Sequence, residues 1–137
     1  MLVAVALGGV LGAEARYGLA TAWPHATASF PWSTLVINAV GCLLIGVLMV
    51  AITEVVTPHP LARPFLGIGV LGGFTTFSTY TVDTQRLLVA GRPGLAVAYV
   101  LATLTVALAS VAAGSAVTRL FGARARTGDA HARGARP

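Results

Sequence analysis

Four apolar stretches leave this chain few folds to choose from, because each is about as long as the roughly 20 residues that cross a bilayer core. They run from Leu2 to Ala22, Trp32 to Ile52, Pro64 to Leu88 and Pro93 to Val117. Only 9% of the 137 residues are charged, against roughly 25% in a soluble domain. The expected fold is therefore an all-α integral membrane protein, one membrane domain of four transmembrane helices over residues 1–121.

The first stretch has a competitor. Its charge-free run ends at Ala13, and Glu14 and Arg16 follow. A secretory signal peptide would need a basic region before the apolar run and small residues where these two charges sit, so a true span is the better reading. Beyond residue 121 the composition changes to Gly, Ala and Arg with Asp129 and His131. That is too poor in apolar bulk to fold alone. Residues 122–137 read as a disordered basic tail near anionic headgroups, with no nucleic-acid partner. The single cysteine, Cys42, excludes an intrachain disulfide and reads as a packing residue. His25, His59 and His131 have no metal-ligand spacing, and no nucleotide-binding or nucleophile motif occurs, so no enzyme is expected.

Four spans place both termini on one side of the membrane. Arg63, Arg119, Arg124 and Arg126 then fall on the terminal side and Arg16, Arg86 and Arg92 on the other. This near balance gives little orienting bias. The chain is expected to insert both ways round, or to be weakly N-in and paired with an oppositely oriented paralogue. Four short spans do not readily enclose a pathway alone, which argues for an oligomer. Gly8 and Gly12, Gly41 and Gly46, and Gly67, Gly69, Gly72 and Gly73 allow close backbone approach, either between subunits or within one.

The third stretch carries the least membrane-like run, Gly69-Val70-Leu71-Gly72-Gly73-Phe74-Thr75-Thr76-Phe77-Ser78-Thr79-Tyr80. Paired glycines followed by Thr75 and Thr76 favour a helix that stops and restarts. Freed backbone groups at membrane depth persist only where buried in protein or lining a watery cavity, and such breaks are where ions are handled. The hydroxyls of Thr75, Thr76, Ser78 and Thr79 either cap the second half-helix or donate to an anion. Phe77 and Tyr80, three apart, are packing residues or present positive ring edges to an anion.

Asn38 lies a third of the way into the second stretch and needs a partner there. It is either an interhelical clamp or a donor facing a ligand. Tyr99 and Thr103 share a face of the fourth span, where the threonine hydroxyl either bonds back to a carbonyl one turn earlier or faces a ligand. Arg16 is expected to snorkel to the interface beside Tyr17 and Trp23. Asp83, Gln85 and Arg86 mark where the third span reaches water, with Asp83 and Arg86 spaced to pair.

Together these runs resemble the Fluc family of fluoride channels, also called CrcB-type proteins. Gly8-Gly9-Val10-Leu11-Gly12-Ala13-Glu14-Ala15-Arg16-Tyr17 is similar to that family's first-span pattern and Thr34-Leu35-Val36-Ile37-Asn38-Ala39-Val40-Gly41 to its second. Gly72-Gly73-Phe74-Thr75-Thr76-Phe77-Ser78-Thr79-Tyr80 is similar to its third-span signature, the most specific of the three. The resemblance implies a third helix broken in the middle and an antiparallel dual-topology dimer in the cell membrane. Two fluoride pathways would follow the subunit boundary, lined by Asn38, Phe77, Ser78, Thr79, Tyr80, Tyr99 and Thr103. Backbone carbonyls of Gly72 and Thr75 would hold a structural sodium ion. Tyr80 stands where the family usually has a second phenylalanine, and Asp83 where it often has glutamate. The alternative is a small multidrug-resistance-type proton-coupled exporter of cationic compounds, with Glu14 as its membrane carboxylate.

Overall fold

The computed structural model describes residues 1–26, 28–55 and 59–134, with side chains described as far as Gly122. Every regular element among them is helical. Helix α1 (Leu2–Ala22) has 21 residues, about 31 Å at 1.5 Å per residue, which matches a bilayer core. Helix α2 (Trp32–Val50) follows Pro31 and continues into a π-wound turn, Ala51–Val55. The third span starts as a π-wound segment, Arg63–Leu71, with Pro64 in its first turn, where a missing N–H does no harm. It passes into a single α-turn, α3 (Gly72–Phe74), and resumes as α4 (Phe77–Val89). Helix α5 (Pro93–Gly134) begins on a proline, whose fixed φ suits a first helical position.

Among the described residues, four helical stretches are long and apolar enough to cross a membrane: Leu2–Ala22, Trp32–Val55, Arg63–Val89 and Pro93–Gly122. They coincide with the four expected segments within a few residues, and the π-wound turn lengthens the second. Beyond Gly122 the α5 backbone remains helical to Gly134, where composition suggests a disordered tail. Alanine and arginine are strong helix formers, and extending an existing helix avoids a new nucleation step.

The turn between α4 and α5 is set by Gly91, whose φ of +71° is the left-handed conformation a side chain would resist. Arg92 N–H donates to Leu87 O and Gly91 N–H to Leu88 O, which is the Schellman closure of α4. Two tight pairings build the bundle. Helix α1 packs along the π-wound segment and α3, while α2 packs along α5. In both, glycine removes the side chain that would hold the backbones apart. A Cβ on Gly12 would stand 2.8 Å from Phe74 N, and one on Gly114 would stand 3.1 Å from Val47 N. Gly8 and Gly12 of α1 and Gly69 and Gly73 of the third span are thus used for packing within one chain.

The densest core lies towards the α4–α5 turn, where Leu35, Leu87, Ala96 and Tyr99 are buried with Phe30 and Tyr80 against them. Elsewhere Leu7, Val10, Leu11, Leu104 and Leu108 are exposed. For a span this carries no penalty, since acyl chains are as apolar as leucine.

Candidate functional site

The site grows from the interval between α3 and α4. Thr75 (φ −76°, ψ 154°) and Thr76 (φ −142°, ψ 121°) are extended, so the helix stops at Phe74 and restarts at Phe77. Asn38 reaches this interval from α2. Its Oδ1 accepts from Thr76 N–H at 2.8 Å and its Nδ2 donates to Thr76 O at 3.0 Å. Both groups are buried, Asn38 to 9% and Thr76 to 8% exposure. Asn38 is therefore an interhelical clamp. Nδ2 also carries a second hydrogen, which the clamp does not use.

Thr76 also starts the second half-helix. Its Oγ1 accepts from Thr79 N–H at 3.1 Å as an N-cap, donates to Thr79 Oγ1 at 2.9 Å and lies 3.3 Å from Ser78 Oγ. Ser78 and Thr79 thus sit in a capping cluster. Thr75 Oγ1 instead bonds back to Leu71 O at 3.0 Å.

These diversions release two carbonyls. In a continuous helix Thr76 N–H would return to Gly72 O and Thr79 N–H to Thr75 O; here they go to Asn38 Oδ1 and Thr76 Oγ1. The neighbouring Gly73 carbonyl accepts from Arg16 Nε at 3.1 Å. Arg16, expected to reach for the interface, thus directs its Nε to the interval. The reason is that a carbonyl lost from the helix ladder is a better partner for a guanidinium than the lipid surface around it.

Beside the interval lies a cavity of about 260 Å³ lined by Asn38, Thr75, Thr76, Phe77, Tyr80 and Thr103, with Cys42, Leu104 and Ala107 completing the wall. The structure thus gathers Asn38, Phe77, Tyr80 and Thr103 on one surface. Ser78, Thr79, Tyr99 and Gly72 are not among its lining residues. Phe77 is 79% exposed, and its ring centroid lies 5.6 Å from that of Tyr80. The series continues inward through Tyr99 (5.5 Å from Tyr80) to Phe30, which meets Tyr99 edge-on at 5.4 Å.

Tyr99 is fully buried. Its hydroxyl is flanked by Thr34 and Thr103, yet neither Tyr99 OH nor Thr103 Oγ1 has a hydrogen-bond partner among the described residues. The expected back-bond of Thr103 is not made. A buried hydroxyl without a partner at the cavity wall, Thr103, with a second behind it, Tyr99, is a place for a water or an anion.

Asp83 departs furthest from expectation. It does not lie where the span reaches water but is 2% exposed, and Thr34 Oγ1 donates to its Oδ2 at 2.7 Å. Its other oxygen faces His25 Nε2 at 3.5 Å and Arg86 at 3.6 Å, the latter the expected pair. His25 Nδ1 lies 2.9 Å from Ser33 Oγ. Sequence reasoning missed this cluster because His25 sits in the loop after α1, with nothing in its spacing to connect it to residue 83.

A helical domain whose third span is interrupted beside a cavity with uncharged polar groups in its wall defines a small multi-pass membrane protein. The family described as "CrcB-like protein, Camphor Resistance (CrcB)" matches residues 3–115. Relatives include "Fluoride-specific ion channel FluC 2" of Streptomyces avermitilis, 57% identical over 76% of this chain and 66% of its own length. "Fluoride-specific ion channel FluC 1" of Streptomyces coelicolor is 54% identical over 81% of this chain and 72% of its own. "Fluoride-specific ion channel FluC 2" of Nocardia farcinica is 48% identical over 87% and 85%. The chain belongs to the CrcB family, and with four span-forming helices it is a multi-pass protein of the cell membrane.

Proposed function

We propose that this protein is a fluoride-selective channel that lets fluoride leave the cytoplasm passively and so protects the cell from it. The observation that carries this reading is the cavity beside the interrupted span, where uncharged polar residues and the rings of Phe77 and Tyr80 are set into an otherwise apolar wall. Fluoride is small and strongly hydrated, so a pathway must replace its water with several donors at once. The spare Asn38 hydrogen, the unpartnered Thr103 and Tyr99 hydroxyls and the edges of Phe77 and Tyr80 supply them without a fixed charge that would trap the ion. Ser78 and Thr79 stand next to this route at the start of α4 and offer further hydroxyls. Tyr80 keeps the ring edge that a phenylalanine would provide and adds a donor. The three fluoride-specific relatives, at 48–57% identity, point to the same ion.

The working unit is an antiparallel dual-topology homodimer, or a pair with an oppositely oriented paralogue. Phe77 supports this: a ring 79% exposed on one chain becomes the wall of an enclosed route once a second copy covers it. The interruption is then the family's broken third helix, placed at the dimer centre. There the released Gly72 and Thr75 carbonyls of both copies would hold a sodium ion. They fit it, being hard oxygen ligands freed by identifiable diversions, while Gly73 O is committed to Arg16. Such a cation, when bound, lowers the electrostatic cost of an anion nearby.

Fluoride-electrode recording of efflux from proteoliposomes tests the reading. Passive efflux above that of protein-free liposomes is expected. Proton-coupled uptake of a quaternary ammonium dye without fluoride efflux would establish the exporter alternative instead.

A further inference from the structure

The cluster around Asp83 contains a group that the channel reading leaves unused. We propose that His25 is a positioning residue for the fluoride route: its charge compensates the buried Asp83 carboxylate, so that fluoride conductance follows the protonation of this one imidazole. The inference rests on the channel reading given above.

The geometry connects His25 to the cavity in four contacts. His25 Nε2 faces Asp83 Oδ1 at 3.5 Å, Thr34 Oγ1 donates to Asp83 Oδ2 at 2.7 Å, and Thr34 flanks the Tyr99 hydroxyl, which in turn flanks Thr103 on the cavity wall. Asp83 is thus joined to the cavity wall by a run of three hydroxyls, those of Thr34, Tyr99 and Thr103. A carboxylate in that place repels fluoride through a poorly screened medium, and something has to offset it.

Three titratable or charged groups are placed against the carboxylate among the described residues. Arg86 lies on its own helix, His25 on the loop and the Tyr99 phenol on α5, with Tyr80 of α4 behind Tyr99; α2 contributes Ser33 and Thr34. Arg86 has a side chain 57% exposed, so water and salt weaken its effect. His25 is 21% exposed and is the better-placed cation. Among the described residues Asp83 Oδ1 has no hydrogen-bond partner, so charge alone links the imidazole and the guanidinium to it.

The sign follows. A histidine gains its charge as pH falls from about 8 to 5. With His25 charged, Asp83 is offset and the anion meets less repulsion. As pH rises the imidazole becomes neutral, and only the exposed Arg86 remains. Flux is expected to fall.

The experiment is fluoride efflux from proteoliposomes at equal internal and external pH, between about 5.5 and 8.0, with the leak of protein-free liposomes subtracted at each pH. Wild type is expected to lose about two- to fivefold of its flux across this range, the size of a partly exposed ion-pair effect. His25→Gln should be flat at the lower level and His25→Lys flat at the upper one, while Asp83→Asn should also remove the pH dependence. A His25→Gln profile parallel to wild type, or a flat wild-type profile with flux present, overturns the role of His25 and leaves the channel reading standing. Absence of wild-type flux at every pH overturns the channel reading itself.

Discussion

Replacing Asn38 by alanine separates the clamp from the pathway. The substitution removes the acceptor of Thr76 N–H and one donor to Thr76 O. The carbonyl belongs to an N-cap and still serves the first bond of α4, so the stranded group is the N–H, at a residue 8% exposed. An unsatisfied buried donor costs about 1–3 kcal/mol. The alternative for that N–H is to return to Gly72 O and close the helix, which would withdraw one of the two carbonyls proposed for sodium. Either way the interval loses its shape. Denaturant titration of purified protein, followed by fluorescence of Trp23 and Trp32, should show Asn38→Ala less stable than wild type by that amount. Fluoride flux should fall well beyond the loss of folded protein. Cys42→Ala, on the same cavity wall but outside the clamp, should cost about 1 kcal/mol or less. Phe77→Ala, at a residue 79% exposed, should lower flux with a stability change within about 0.5 kcal/mol, and all three should keep the proposed dimer. If Asn38→Ala unfolds with wild type and conducts like Cys42→Ala, the clamp reasoning is wrong.

Two further outcomes can be checked alongside. Gly12→Ala places a Cβ 2.8 Å from Phe74 N, where rigid backbone must move, and is expected to destabilise by about 1–3 kcal/mol. Gly18→Ala on the same helix meets nothing within 4 Å and should be stabilising by about 0.5–1 kcal/mol, so thermal melts of the pair in detergent test the in-chain packing of α1. Truncation after Gly122 leaves every residue of the cavity and the Arg119–Glu54 ion pair in place. Efflux from that variant should match the full chain, and complete loss from a folded truncation would contradict the assignment of the pathway to the membrane domain.

What the sequence determined by itself was the membrane domain and the address of its polar site. Span length and the scarcity of charge fix four helices, because the bilayer sets the length and excludes ions regardless of how the helices pack. Paired glycines followed by threonines mark residues 72–76, because their backbone preferences are local. Tertiary structure decided the rest. Asn38 and Thr76 are 38 residues apart, and only the approach of α2 makes one the clamp of the other. Arg16 and Asp83 lie near span ends and read as groups reaching for water. Packing turns the first to Gly73 O and closes the second under His25 and Thr34. A side chain's depth in the sequence sets the cost of leaving it alone, while its partner is a matter of which helices meet.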